Sequence, residues 1–319
     1  MNVFLRALDA NFNRAREALR VIEDIARFRF DDRATQAAVR DLRHRLSSIE
    51  RGYGRALIAA RDSSRDVGRE APTERRADAA AVAAANFKRV QEAARALEEF
   101  GARGASAIRF ALYDLEKAFD ARRRVAAVRL YVLLDSTVAR GPLESVAREA
   151  VAGGAGMLQL RERGRTDRGL LRLAKRLAAV AHGEGALFVV NDRADVARAA
   201  GADGVHLGAG DLPVADARLV PVVGATSHSL AEAKAAVAAG ADYVSVGPMF
   251  ATPLKPDLAP RGFAYLGAAK RLGVPFFCIG GITAANVSRS MERVAVCAGV
   301  IAQRDVAAAA RAIRRALPR

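Results

Sequence analysis

Six apolar runs in the C-terminal part of this 319-residue chain each close on side chains suited to binding anions or cations. MLQLRE (157–162) supplies Gln159 and Arg161 and is followed by Arg163. ALFVVND (186–192) ends in Asn191 and Asp192, and GVHLG (204–208) is followed by Asp211. VPVVGAT (220–226) ends in Thr226, with Ser227 and His228 next. YVSVGPMF (243–250) leads into Thr252 and Lys255, and VPFFCIGG (274–281) ends in Gly280 and Gly281. Asp192 and Asp211, from neighbouring runs, suit a Mg²⁺ ion that keeps several waters and bridges phosphate oxygens. Arg161, Arg163 and Lys255 would neutralise a diphosphate, the arginines through bidentate geometry. The glycine pair offers backbone N–H groups at a helix start, a cradle for a second phosphate. An Asn-Asp pair closing one strand is often only a helix cap. Six such ends on one edge of consecutive strands point to a phosphate-ester site. No nucleophile–base pair accompanies them; His206 reads as a structural histidine inside a strand, and the role of His228 stays open.

The elements that must hold these residues can be read from the hydrophobic pattern. From residue 127 onward, β-branched apolar runs alternate with alanine-rich helical segments. RLYVLLD (129–135) and VAVCAGVI (294–301) complete a set of eight runs. Near-continuous apolar strands alternating with helices predict a parallel sheet covered on both faces. Eight units in so short a stretch fit a closed (β/α)₈ barrel, whose active site lies at the C-terminal ends of its strands. No GxGxxG follows the first run, which disfavours a dinucleotide-binding sheet. The expected class is therefore α/β, with a (β/α)₈ barrel over 127–319 preceded by an all-helical domain over 1–126.

In that first domain Phe4, Leu5, Leu8, Phe12, Ala15, Leu19, Ile22 and Ile25 recur at spacings of three and four, the mark of an amphipathic helix. Asp9 and Asn11 are candidate caps within the run, and Asp31-Asp32 mark its end. The domain also contains a repeat. Asn11, Phe12, Arg14, Glu17, Arg20 and Glu23 recur as Asn86, Phe87, Arg89, Glu92, Arg95 and Glu98, at a constant offset. Arg14, Glu17 and Arg20 form one polar stripe, and Arg89, Glu92 and Arg95 a second. Salt-bridged surface stripes are the plain reading; two arginine-bearing stripes facing each other across a phosphate site are the functional one. RDSSRDVGRE (61–70) breaks the helical period and reads as a polar loop, with two Arg-Asp pairs that could flank an anion.

A net charge of +16 and a pI near 10.9 raise the question of nucleic acid. Arginine is scattered along helical segments among alanine and carboxylates, and aromatics make up only 6%, so solvated helix faces account for the charge better than a nucleic-acid surface. Cys278 and Cys297 lie in apolar runs and read as buried thiols rather than a disulfide. No segment is long and apolar enough for a membrane span, and the first twenty residues lack a signal-peptide core. The expected location is the cytoplasm.

The succession QLRER, VVNDR, DGVHLGAGD, GATSHS, ADYVSVGPMFATPLK and IGGIT closely resembles the thiamine phosphate synthases over 129–316. The resemblance implies a Mg²⁺ enzyme that joins a hydroxymethylpyrimidine diphosphate to a thiazole phosphate by a dissociative step. It assigns Asp192 and Asp211 to the metal, and Gln159, Arg161, Arg163, Asn191, Thr226, Thr252 and Lys255 to the pyrimidine diphosphate. Among these, Arg161, Thr226 and Lys255 carry the catalytic roles, while Gly280 and Gly281 receive the thiazole phosphate. The chain departs from the family pattern at Arg163, Leu254 and Ala298, and in the Ala209-Gly210 pair before Asp211. DANFNRAREALRVIED and RDSSRDVG resemble an alternative hydroxymethylpyrimidine-phosphate kinase family found fused to some of these synthases, which implies a role in making, binding or delivering the pyrimidine. The alternatives are a thiazole tautomerase working through a histidine, which His228 keeps open, and a non-catalytic phosphate-ligand-binding paralogue.

Overall fold

The computed structural model describes residues 3–62, 75–252, 259–260 and 263–318. The chain divides into two compact units, Met1–Phe119 and Asp120–Arg319.

The first unit is helical: α1 (Val3–Phe28), α2 (Arg33–Arg51), α3 (Ala56–Ala60), α4 (Ala79–Glu99) and most of α5 (Ala105–Ala127). The repeat falls on α1 and α4, which pack directly against each other. Their shared motif explains this, because Phe12 and Phe87 are fully buried, as are Leu19, Ile22, Val90 and Leu97. Burial of each such side chain contributes about 1.5–3 kcal/mol. Asp32 caps α2 through the Thr35 amide at 2.9 Å, and Asp78 caps α4 through the Ala81 amide at 2.8 Å. The expected caps at Asp9 and Asn11 are overturned. The apolar period continues through them without a change of phase, so α1 runs on. Asn11 donates instead to the Ala7 carbonyl at 2.9 Å. Asp9 is buried and accepts two bonds from Arg61, at 2.7 and 2.8 Å. Most of the 61–70 loop lies outside the described residues.

The second unit is the expected barrel. Its elements are β1 (Leu130–Leu134), α6 (Leu143–Ala152), β2 (Met157–Leu160), α7 (Asp167–Gly183), β3 (Leu187–Asn191), α8 (Ala194–Ala200), β4 (Gly204–Leu207), β5 (Val222–Ser227), α9 (Leu230–Ala238), β6 (Tyr243–Val246), α10 (Ala264–Ala269), β7 (Phe276–Ile279), β8 (Val294–Val296), α11 (Ala298–Ile301) and α12 (Val306–Ala316). All eight strands pair in parallel and in sequence order, and β8 closes on β1 through Tyr131↔Ala295. Strand alternation sorts the side chains. Leu130, Val132 and Leu134 face the helices, whereas Tyr131 and Leu133 face the barrel interior with Met157, Val189, Tyr243 and Phe277. Ala121, Val125 and Val128, at the end of α5 and just beyond, complete that interior core. Tyr243 fits there because residue 224 is glycine; a Cβ at that position would run into the tyrosine ring.

Two strands end well before their apolar runs do. The run 294–301 is strand only to Val296, and Ala298–Ile301 forms a helical turn that buries Val300 and Ile301 in the outer core. A continuous apolar run cannot by itself separate a strand from a buried helix. The run 243–250 leaves the regular ladder after Val246, before Pro248, which has no N–H to donate, although the Met249 and Phe250 amides still donate to the Ile279 and Gly280 carbonyls at 2.8 and 3.0 Å.

Candidate active site

A cavity of about 320 Å³ opens where the barrel strands end, lined among others by Arg161, Thr226, His228, Thr252, Gly280 and Gly281. Five residues that the sequence assigns to substrate, Arg161, Thr226, Thr252, Gly280 and Gly281, thus share one space with His228. Each hangs on the residue that closes or follows a strand, so the barrel backbone sets their relative positions.

Arg161 is fixed by a partner that sequence reasoning passed over. Its guanidinium donates to Asp135 at 2.6 Å, with side-chain exposures of 20% for Arg161 and 7% for Asp135. The other Asp135 oxygen accepts from the Thr137 amide at 3.0 Å and its hydroxyl at 2.6 Å. Burial pushes the Asp135 carboxyl up, but the Thr137 bonds and Arg161 outweigh it and hold the group below its ordinary range. Asp135 closes the β1 run LYVLLD, and the strand-end rule that found Asp192 would have found it too.

Thr226 is held by a chain that runs down into the barrel. Its hydroxyl shares a hydrogen bond with His206 Nε2 at 3.0 Å, and His206 Nδ1 meets the Tyr243 hydroxyl at 3.2 Å. Tyr243 in turn lies 3.3 Å from the Tyr131 hydroxyl. Burial raises both phenols above their usual range, so both stay protonated. This bears out the structural reading of His206. Gln159 is buried in the same layer, and its Nε2 lacks any hydrogen-bond partner. His228 donates through Nδ1 to the Gly247 carbonyl at 2.9 Å, which leaves Nε2 as an acceptor in the neutral ring. The Cys297 thiol also lines the cavity, and burial pushes it up to about 12, so it is no nucleophile at neutral pH.

The two carboxylates lie beside each other. Asp192 has a positive φ of 65°, uncommon outside glycine, and its amide donates to the His206 carbonyl at 2.8 Å. Asp211 is fixed by the Gly208 amide, which donates to Oδ2 at 2.6 Å. Burial and then the neighbouring Asp211 carboxylate raise Asp192 to about 6, against the opposing pull of Arg163 and Asn191. Two acidic groups pressed together, one backbone-strained and one tied down, suit a divalent cation between them. No cluster of three or more metal-ligating side chains occurs among the described residues, so the remaining ligands would be water and substrate oxygens. Asp192, Asp211, Asn191 and Arg163 thus form a second group, and none of them lines the cavity. Gly281 has φ 65°, and a Cβ there would come within 2.5 Å of the Ala251 carbonyl oxygen, so the position admits only glycine. Lys255 and Leu254 lie outside the described residues.

A family model described as thiamine monophosphate synthase matches residues 130–303. A thiamine-phosphate synthase from a Synechococcus species is 40% identical, over 96% of this chain and 94% of that protein. The chain belongs to the thiamine-phosphate synthase family. The corresponding protein of Gloeobacter violaceus is 41% identical over 95% of this chain and 94% of its own. A thiamine phosphate pyrophosphorylase structure from Pyrococcus furiosus covers 60% of this chain and 96% of that one, at 33% identity and a TM-score of 0.55. Residues 6–118 match a model described as the ThiD2 family. The family read from the sequence motifs is the one found, and with it the expectation of a transferase in thiamine biosynthesis. Among the described residues no helix is long and apolar enough to cross a membrane.

Proposed function

We propose that the barrel cavity condenses 4-amino-5-hydroxymethyl-2-methylpyrimidine diphosphate with 4-methyl-5-(2-phosphooxyethyl)thiazole, and that the residues singled out above do this work. The observation carrying the assignment is the convergence of Arg161, Thr226, Thr252, Gly280 and Gly281 on one cavity at the strand ends. Asp192 and Asp211 would hold Mg²⁺, which when bound supplies positive charge against the diphosphate oxygens. Arg161, oriented by Asp135, donates hydrogen bonds to the departing diphosphate, with Arg163 and Lys255 adding positive charge. The C–O bond to diphosphate breaks and its electron pair leaves with the diphosphate, creating a methylene cation conjugated with the aminopyrimidine. The thiazole ring nitrogen then forms the new C–N bond. No protein base is required, which accords with protonated phenols at Tyr131 and Tyr243 and a protonated Cys297. The step depends on positioning and on charge stabilisation of the leaving group. Gln159, with its spare Nε2, and Asn191 would orient the pyrimidine diphosphate, while Gly280 and Gly281 approach the thiazole phosphate through bare backbone. We place this chemistry in the cytoplasm, where free thiols such as Cys278 and Cys297 persist.

The test is product formation from both substrates with Mg²⁺, comparing wild type with Asp192→Ala. Thiamine phosphate from wild type and a loss of at least about a hundredfold in the variant supports the assignment. A folded wild type that makes no product overturns it. His228, lining the cavity with a fixed ring, would then make thiazole tautomerisation the next reaction to assay.

A further inference from the structure

His228 lines the barrel cavity, and the condensation described above makes no use of it. The segment around it is held from both flanks. Ser227 Oγ donates to the Ser245 carbonyl at 2.8 Å and lies 3.1 Å from the Tyr265 hydroxyl, which donates to the Ser229 carbonyl at 2.5 Å. Ser229 caps α9 through the Glu232 amide at 3.1 Å. The Glu232 carboxylate in turn accepts from Ser229 Oγ at 3.0 Å and from the His228 amide at 2.8 Å. The ring itself is fixed by Nδ1, which donates to the Gly247 carbonyl at 2.9 Å. A carbonyl oxygen can only accept, so Nδ1 carries the proton and Nε2 of the neutral ring keeps its lone pair. Nε2 makes no hydrogen bond among the described residues and is not sealed from solvent. An acceptor set so firmly, without a donor of its own, is prepared for a donor that arrives with a ligand.

We propose that His228 Nε2 accepts a hydrogen bond from the exocyclic amino group of the aminopyrimidine, which makes His228 a specificity-determining residue of the barrel; this rests on the function given above. The substrates themselves narrow the choice. Their diphosphate and phosphate oxygens are acceptors, which Arg161 and backbone N–H groups suit. The pyrimidine ring nitrogens also accept. The thiazole ring carries no N–H, and its nitrogen lone pair must stay free to attack. The amino group is the N–H donor that the two substrates bring. Among the polar side chains of the lining, Arg161 only donates, while the hydroxyls of Thr226, Thr252 and Thr283 serve either way. Neutral His228 can only accept at Nε2. The bond also favours reaction over binding. As the C–O bond to diphosphate breaks, the amino lone pair spreads into the ring to stabilise the methylene cation, and its N–H becomes a stronger donor. A fixed acceptor therefore holds the cation more tightly than the ground state. When the thiazole nitrogen forms the C–N bond, the positive charge passes to the thiazolium and the amino group keeps both protons. His228 ends the cycle unchanged.

The probes are the pyrimidine diphosphate and an analogue with methyl in place of the amino group, both measured on the full-length protein with Mg²⁺. By calorimetry, wild type is expected to bind the amino compound about tenfold or more tightly than the methyl one, and His228→Leu to bring that ratio near one. In turnover, His228→Leu should lower kcat for the amino substrate roughly ten- to a hundredfold, with KM for the thiazole phosphate unchanged. His228→Gln, whose amide oxygen can still accept, should recover part of that loss. Should the leucine variant misfold, ¹⁵N NMR of wild type answers directly. Nε2 is expected to stay unprotonated and to shift more with the amino compound than with the methyl analogue. Equal discrimination in wild type and His228→Leu, a protonated Nε2 in the complex, or a loss confined to KM for the thiazole phosphate would each overturn the proposal. The last two would make His228 a phosphate ligand instead. A wild type that yields no thiamine phosphate overturns the function itself, and this inference with it; an active wild type with equal discrimination overturns only the role of His228.

Discussion

Replacing Asp135 with asparagine tests whether Arg161 is held in place or merely happens to be nearby. The substitution keeps the shape and removes the charge, so Arg161, 20% exposed, loses its counter-ion. Removing one partner of a buried pair costs about 3–5 kcal/mol, and partial access of solvent to Arg161 puts this case at the lower end, about 3 kcal/mol. For a unit of this size that is a fall of roughly 6–12 °C in Tm. Arg161→Met should cost about as much, because it strands Asp135, which is 7% exposed on its side chain. The double variant strands neither charge, so it should cost far less than the sum and yield a coupling of at least about 2 kcal/mol. Near-ultraviolet circular dichroism reports on the right unit, since Tyr131 and Tyr243 are fully buried inside the barrel. The carboxyl of Asp135 sits below its ordinary value of about 3.9, so its contribution is complete above that pH and is lost only as pH falls through the lowered value. The coupling should therefore be the same at pH 6 and pH 8. Diphosphate should raise the Tm of Asp135→Asn more than that of wild type, because it supplies the missing counter-charge. Stabilities that add to within about 0.5 kcal/mol would refute the reasoning.

Other consequences follow from the same geometry. Asp192 titrates near 6 when folded and near 3.9 when unfolded, so between those values the native state holds more protons and metal-free stability falls as pH rises through the window. Mg²⁺ requires the ionised pair, so its affinity should drop below pH 6 and its binding at pH 5.5 should release a proton, measurable by calorimetry in two buffers; equal affinity at pH 5 and 7.5 would contradict this. Gly281→Ala forces a Cβ to within 2.5 Å of the Ala251 carbonyl in a left-handed conformation, so KM for the thiazole phosphate should rise about tenfold or more, while Mg²⁺ binding at Asp192 and Asp211 stays unchanged. Gly224→Ala overpacks the barrel interior against Tyr243 and should lower stability by about 1–3 kcal/mol or more, read as a drop in Tm; an unchanged Tm would mean that the ring has room to move.

The sequence exposed the barrel because both of its signals are local and repetitive. Apolar runs mark the strands, and the polar residue closing each run marks the edge where chemistry collects. Arg161, Thr226, Thr252, Gly280 and Gly281 were found that way, and they share the cavity. Asp192 and Asp211 were found by the same rule, and their proximity appears as a raised carboxyl rather than as cavity lining. What stayed hidden depends on contacts between strands. Asp135 serves Arg161 across 26 positions, and Tyr243 reaches His206 across 37, separations that carry no periodic trace. Strand ends were blurred for a related reason. The residues Ala298–Ile301 are as apolar as a strand, and only the closure of the barrel at Val296 decides that they turn out of it.

The helical unit shows the limit of local rules from the other side. Asp9 and Asn11 have the residue types of caps, and a capping rule applied one residue at a time starts a helix there. Phe12 and the buried residues after it keep the helix running in phase, and the two polar side chains are put to other uses: Asp9 anchors Arg61, and Asn11 borders the seam. The repeat carried more information than either copy alone. A single Arg-x-x-Glu step on a helix predicts an ion pair; two copies that both decline to form one, beside two that do form it a turn later, separate the surface charges from those that face a cavity.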